Sequence, residues 1–164
     1  MPTTQTDLYR ALKSDDFKGA FHVDGVAVDG LLYPRFQATT YTDGRGIEQT
    51  SQADVQFQDN PRTGKSEVQP GGGTSLFDVE GWFGYAHWRY FGIPNGTEFS
   101  EALQLKRSKR RRENRAKMTG YHCQIEPKNP MTADALKGAL DTFARNAVVR
   151  SIELSKTGQM TEQS

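Results

Sequence analysis

Toward the C-terminal end of the chain, apolar residues recur at spacings of four, three and four, at Leu136, Leu140, Phe143 and Ala147, with Val148 beside them. Such a stripe covers one side of a helix and leaves the other side polar. Thr132 is a suitable N-cap, Asp134 sits in the first turn where the helix dipole favours an acid, and Gly158 stops the pattern. The pattern therefore predicts a helix from Thr132 with Phe143 as its central anchor.

Elsewhere the period shortens to two. Residues 7–13 place Leu8 and Arg10 on one side of a strand and Tyr9 and Ala11 on the other, although so short a stretch also fits a helix. Trp88-Arg89-Tyr90-Phe91 reads as a strand ended by Gly92, and Ile93-Pro94-Asn95-Gly96-Thr97 as a tight turn. Between Gly120 and Pro127, Tyr121, Cys123 and Ile125 fall on one strand face, His122 and Gln124 on the other. Residues 21–32 alternate weakly around Gly25 and Gly30, as a hairpin or glycine-rich loop. Pro34 pushes Tyr33 toward extended geometry.

Two stretches are harder to read. Residues 41–73 are rich in Thr, Gln, Asp and Gly, with Val55 and Phe57 as their few anchors and a turn at Asn60-Pro61-Arg62-Thr63-Gly64. They predict a long surface excursion over one side of the domain. Residues 101–115 predict a helix capped by Ser100 with a thin apolar edge of Ala102, Leu103 and Leu105, or a short strand at 103–105 followed by a basic loop. Short strands first and one good helix last make an α+β fold, and 164 residues suit a single domain over 1–164.

Charge changes this picture more than composition does. The formal net charge is only +1, yet the block that opens at Lys106 and closes at Lys117 holds eight basic residues against the single acid Glu113. Such a block attracts polyanions or an acidic partner surface. No apolar run approaches the roughly 20 residues a membrane helix needs, so membrane insertion is not expected. The first residues lack the order of a secretory signal. Cys123 is the only cysteine, which leaves no internal disulfide and suits a reducing compartment. His22, His87 and His122 lack metal-ligand spacing, and no metal site is expected.

Candidate chemistry gathers around Pro70-Gly71-Gly72-Gly73-Thr74-Ser75-Leu76-Phe77-Asp78. Three glycines allow crowded or left-handed backbone, and two hydroxyls follow at once. The order fits a pivot placing Thr74 and Ser75 at a pocket edge, or a plain loop followed by a cap. Arg10 in an apolar strand needs a partner, either a phosphate gripped by its guanidinium fork or a carboxylate. His122 is equally suited to stacking on a ligand and to a half-exposed structural place. Glu126, ahead of Pro127, fits a pocket-rim carboxylate or an exposed turn. The aromatics from Trp82 to Phe91 are expected in the core more than as stacking platforms.

Several of these motifs, taken in order, resemble one family. Leu8-Tyr9-Arg10-Ala11, Gly72-Gly73-Thr74-Ser75-Leu76-Phe77-Asp78 and Ile93-Pro94-Asn95-Gly96-Thr97 carry the likeness first. His122, Ile125, Pro127, Pro130-Met131, Asp141, Phe143, Arg145-Asn146-Ala147 and Arg150 continue it. The chain resembles the Tse2-type toxins delivered by bacterial type VI secretion, with the weakest match over residues 37–69. The resemblance implies a small mono-ADP-ribosyltransferase-like domain, in which two short curved β-sheets grip NAD and a helix closes the chain. It implies an NAD-dependent toxin acting in the recipient cytoplasm. Transfer of ADP-ribose to a macromolecular acceptor, protein or nucleic acid, is expected because the basic block would help find an acidic target. The run from Arg110 to Arg112, which goes beyond the family pattern, adds the nucleus as a further place in a eukaryotic cell. A cognate immunity protein is the implied partner. By the same resemblance Tyr9, Arg10, Thr74, Ser75 and His122 would hold NAD, and Ser75 would serve catalysis.

Glu126, the carboxylate that would join Ser75 in catalysis, departs from the family pattern, whose bacterial members lack a glutamate there. Hydrolysis of NAD is one alternative. The other is a non-enzymatic nucleic-acid-binding module built on the basic block.

Overall fold

In a computed structural model the described residues are 1–13 and 28–157. The C-terminal stripe forms helix α1, Ala133–Lys156. Thr132 caps it as expected, its Oγ1 accepting from the Ala135 N–H at 3.2 Å. Leu136, Leu140, Phe143, Ala144, Ala147 and Val148 are all buried on its inner side. Eleven strands precede it among the described residues: β1 Leu8–Lys13, β2 Thr39–Thr42, β3 Glu48–Ser51, β4 Phe57–Asp59, β5 Ser66–Val68, β6 Thr74–Phe77, β7 Trp88–Ile93, β8 Leu103–Arg107, β9 Arg112–Glu113, β10 Thr119–Gly120 and β11 His122–Pro127. His22, the first part of the 21–32 alternation and the expected stop at Gly158 lie outside the described residues.

Five strands align in the order β7-β1-β6-β11-β8, with antiparallel pairing throughout. The centre of this sheet is weak. β1 pairs with β7 from Leu8 to Lys13, but with β6 only through Tyr9 and Phe77. The sheet is therefore two short halves, β7-β1 and β6-β11-β8, hinged on one residue pair. This is the α+β architecture expected, with the two halves standing as its short sheets.

Strand alternation sorts the side chains onto two faces. Leu8, Leu12, Leu76, Phe91, Ile93, Leu103, Cys123 and Ile125 belong to the same buried cluster as the inner side of α1. Phe99 and Phe143 meet there with ring centroids 5.4 Å apart. The opposite face carries Tyr9, Ser75, Phe77, Trp88, His122 and Gln124.

Three sequence expectations change. Residues 101–115 are not a helix; the alternative short strand at 103–105 is the one that forms, as part of β8. Leu103 and Leu105 point to the core from β8, which pairs with β11, while Ser100 Oγ accepts from the Ala102 N–H in a local turn. Extended chain spreads the like charges that a helix would stack at neighbouring positions. The 41–73 excursion holds two hairpins, β2-β3 and β4-β5. Asp43 Oδ1 accepts from Arg45 N and Ile47 N in the first turn, and Asn60 Oδ1 accepts from Arg62 N in the second. Side-chain acceptors of this kind hold turns without core burial, which hydrophobic patterning does not register. Val55 anchors the excursion, whereas Phe57 stays largely exposed.

The aromatic run also differs. Of Trp82, Phe83, Tyr85, Trp88, Tyr90 and Phe91, only Phe91 joins the core. The others layer onto the outer face of the sheet. Their strand residues alternate, so Trp88 and Tyr90 point opposite to Phe91.

Candidate active site

The cleft begins where β1 and β6 part. Beyond the Tyr9–Phe77 pair the ladder stops, and Arg10 Nη1 reaches across to donate to the Ser75 carbonyl at 3.2 Å. An opening of about 560 Å³ follows, a volume within the range of small-molecule sites. Arg10 to Lys13 form one wall, Ser75 and Phe77 the other. Phe83 and Trp88 close one end, and Arg35, Thr39, Tyr41, Ser51 and Asp54 contribute the outer side.

Arg10 shares its core-side alternation with Leu8 and Leu12, but it is no packing residue. Its Nε donates to the Leu31 carbonyl at 3.4 Å and its Nη2 to the Tyr33 carbonyl at 3.2 Å. Arg10 thus clamps β1, β6 and the 28–33 segment together. No carboxylate pairs with it among the described residues, and burial lowers its pKa from the usual arginine value, with nearby Asp54 opposing the shift. A guanidinium has more N–H donors than these three carbonyls use. The remainder border a cleft also lined by Lys13 and Arg35 against one acid, Asp54. That balance suits a pyrophosphate.

Arg35 and Asp54 brace each other. The Arg35 N–H donates to Asp54 Oδ2 at 2.6 Å, and the Asp54 N–H donates to the Arg35 carbonyl at 2.7 Å. Their side-chain ion pair at 3.7 Å is half exposed and adds little. The two hydrogen bonds fix the base of the β2-β3 hairpin, which carries Thr39, Tyr41 and Ser51 to the cleft.

The glycine turn serves this same wall. Gly71 has a φ of 106°, a region L side chains rarely adopt. A Cβ on Gly72 would run into the Asp54 carbonyl oxygen, and one on Gly73 into that of Ile125. The turn therefore lies pressed between the outer wall and β11, and Ser75 follows directly. No hydrogen bond engages Ser75 Oγ among the described residues.

Of the expected site residues, Arg10 and Ser75 share the cleft. Tyr9 and His122 flank Phe77 on the same face, each as its direct strand partner, and the His122 and Phe77 rings lie 5.3 Å apart. Burial, then the charge of Arg112, lowers the His122 pKa, so its imidazole is neutral near pH 7. Thr74 and Glu126 are placed elsewhere. The Thr74 hydroxyl is buried and donates to the Leu32 carbonyl at 2.6 Å, because alternation turns it opposite to Ser75. Glu126 is fully buried beneath the glycine turn rather than at a rim. Its Oε2 accepts from Gly71 N at 2.8 Å and Gln124 Nε2 at 3.1 Å, its Oε1 from Gln104 Nε2 and Lys106 Nζ, both at 3.0 Å. So many donors account for a buried carboxylate.

Sequence reading missed Lys13, Arg35, Tyr41, Asp54, Phe77, Phe83 and Trp88 as lining residues. Lys13 and Trp88 were accessible in principle, since they face each other across β1 and β7. Arg35 and Asp54 depend on a neck between distant segments that no local pattern announces. Among the described residues, no group of three or more His, Cys, Asp or Glu could hold a metal ion.

A sheet split at its centre and a closing C-terminal helix are consistent with an ADP-ribosyltransferase-like domain. Residues 3–152 match the model of the Tse2 ADP-ribosyltransferase toxin family, and the chain belongs to that family. It is 36% identical over 85 residues to a protein named Toxin Tse2 from Pseudomonas aeruginosa (strain PAO1), a match covering 52% of this chain and 51% of the relative. The chain thus spans about half the length of that curated relative.

Proposed function

We propose that residues 1–164 act as one toxin domain that binds NAD in the cleft between β1 and β6 and transfers its ADP-ribose to a macromolecular acceptor. The observation that carries this reading is the shared cleft of Arg10 and Ser75, cationic on one side and aromatic at one end. Family membership supports the same chemistry.

The spare donors of Arg10, with Lys13 and Arg35, neutralise the pyrophosphate. Phe77, Phe83 and Trp88 offer flat apolar surface to a planar ring. Ser75 Oγ, which makes no hydrogen bond among the described residues, braces the reacting ribose. When the C1′–N bond of NAD breaks, its electron pair passes to the nicotinamide nitrogen, and nicotinamide leaves neutral. The ribose gains oxocarbenium character, an acceptor oxygen or nitrogen donates its pair to C1′, and the acceptor proton passes to solvent. Holding the dinucleotide in one pose lowers the cost of reaching that state. Tyr9 and His122 shape the ribose end through Phe77. Thr74 and Glu126 act as positioning residues, fixing the 28–33 segment and the glycine turn.

Among the described residues no helix is long and apolar enough to cross a membrane. The proposed place of action is the recipient cytoplasm, restrained by a cognate immunity protein. Incubation of purified protein with labelled NAD and cell lysate tests the reading. Label on protein or nucleic acid, lost with Ser75→Ala in a folded chain, supports transfer. Free ADP-ribose alone would mean that water is the acceptor, and unchanged NAD would overturn the reading.

A further inference from the structure

The basic block is not a solvated helix but an anchored, branched surface beside the cleft. After β8 the chain turns through 108–111 and returns as the β9-β10 hairpin. Lys106, Arg107, Lys109, Arg110, Arg111, Arg112, Arg115 and Lys117 are all exposed. The one acid, Glu113, is occupied by Lys117 at 3.4 Å. The surface is held in place: Asn114 Nδ2 donates to the Trp82 carbonyl at 2.7 Å, and the Tyr121 N–H donates to Asp78 Oδ1 at 2.7 Å. Both partners belong to the loop that carries the aromatic layer.

Two arginines lie over one ring. The Arg107 guanidinium is 4.3 Å and that of Arg111 5.7 Å from the Tyr121 ring centroid. Stacking fixes the planes of these forks and leaves their N–H edges to solvent, a geometry suited to phosphate. From Asn114 the hairpin connects to Trp82, which stacks on Phe77 at 5.1 Å. Phe77 and Phe83 both line the cleft. Phe83 and Tyr85 are 49% and 64% exposed, an unusual placement for large rings that core packing does not explain.

Resting on the proposed transfer of ADP-ribose, we infer that this surface docks the acceptor and that the acceptor is a single-stranded or unpaired segment of nucleic acid. Cations that follow a backbone, interleaved with exposed rings on which bases stack, are the two parts of single-strand recognition. An acidic protein would use the cations but leave the exposed ring of Tyr85, which does not line the cleft, without a role. The link from the hairpin through Asn114 and Trp82 to Phe77 leads a strand held there toward the reacting ribose.

The test is binding of a fluorescein-labelled oligouridylate, with a duplex and polyglutamate as competitors, over about 50 to 200 mM salt. The triple variant Lys109→Gln, Arg110→Gln, Arg111→Gln should weaken oligouridylate binding about tenfold or more and lower the log–log salt slope by about 2. NAD consumption without acceptor should be unchanged, since none of the three lines the cleft. Tyr121→Leu, which keeps apolar packing, should weaken binding severalfold. Binding untouched by the triple variant overturns the inference, as does polyglutamate competing as well as the oligonucleotide. Label from NAD found on protein alone overturns the acceptor while leaving the proposed function standing. Oligonucleotide binding by a protein that never consumes NAD removes that function and with it the acceptor role.

Discussion

The two faces of the five-stranded sheet obey different rules. On one, Leu8, Leu12, Leu76, Ile93, Leu103 and Ile125 are sealed in the cluster they share with α1, none more than 6% exposed. On the other, Tyr9, Ser75, Trp88 and His122 stay partly open, surrounded by rings that pack on one another rather than in the core. The first face holds the fold, and the second is the one we propose meets the ligand. Arg10 is the exception that joins them: it alternates with the core residues, yet it borders the cleft because the ladder fails just beyond Tyr9.

The largest expected effect falls on the sealed face. Phe143→Ala removes the fully buried anchor of α1 and should cost about 3–5 kcal/mol in urea unfolding, while the folded fraction keeps its NAD affinity. A variant that lost NAD affinity without losing stability would break the division between faces. Arg10→Lys should show both losses at once. It forfeits fork contacts to three carbonyls, costing on the order of 2 kcal/mol, and weakens NAD binding measured by calorimetry. Ser75→Ala should reduce turnover and toxicity with stability changed by no more than about 0.5 kcal/mol.

A smaller effect concerns pH. The folded His122 pKa lies below its ordinary value of 6.5, so the folded chain binds this proton less readily than the unfolded chain. The contribution is present above that value and is lost as pH falls through the folded pKa. The thermal midpoint should therefore decline below about pH 6.5 more steeply in the parent than in His122→Gln. Parallel curves would show that burial beside Phe77 does not bear on His122.

The sealed face was legible in the sequence because its patterns are local. The α1 stripe, the Thr132 cap and the alternation of Cys123 with Ile125 all appear within a few residues. Arg10 and Ser75 stood out as a lone charge among apolar neighbours and a hydroxyl after a glycine turn. In the basic stretch the sequence left helix and short strand both open, because Lys and Arg favour helices; the strand prevailed because β11 needed a partner at its free edge. The aromatic layer misled because large rings ordinarily seek a core. Glu126 was legible as a carboxylate at a turn but not as a buried one, since its four donors come from the glycine turn, β8 and β11.

The central claim is that the gap beside the Tyr9–Phe77 hinge holds NAD, and amide chemical shifts recorded during an NAD titration test it most directly. The account predicts saturable shifts at Ala11, Leu12, Ser75 and Phe77 and at the Trp88 indole, with α1 core amides such as Leu140 unmoved. Saturable shifts confined to other surfaces, with those cleft signals still, would contradict it.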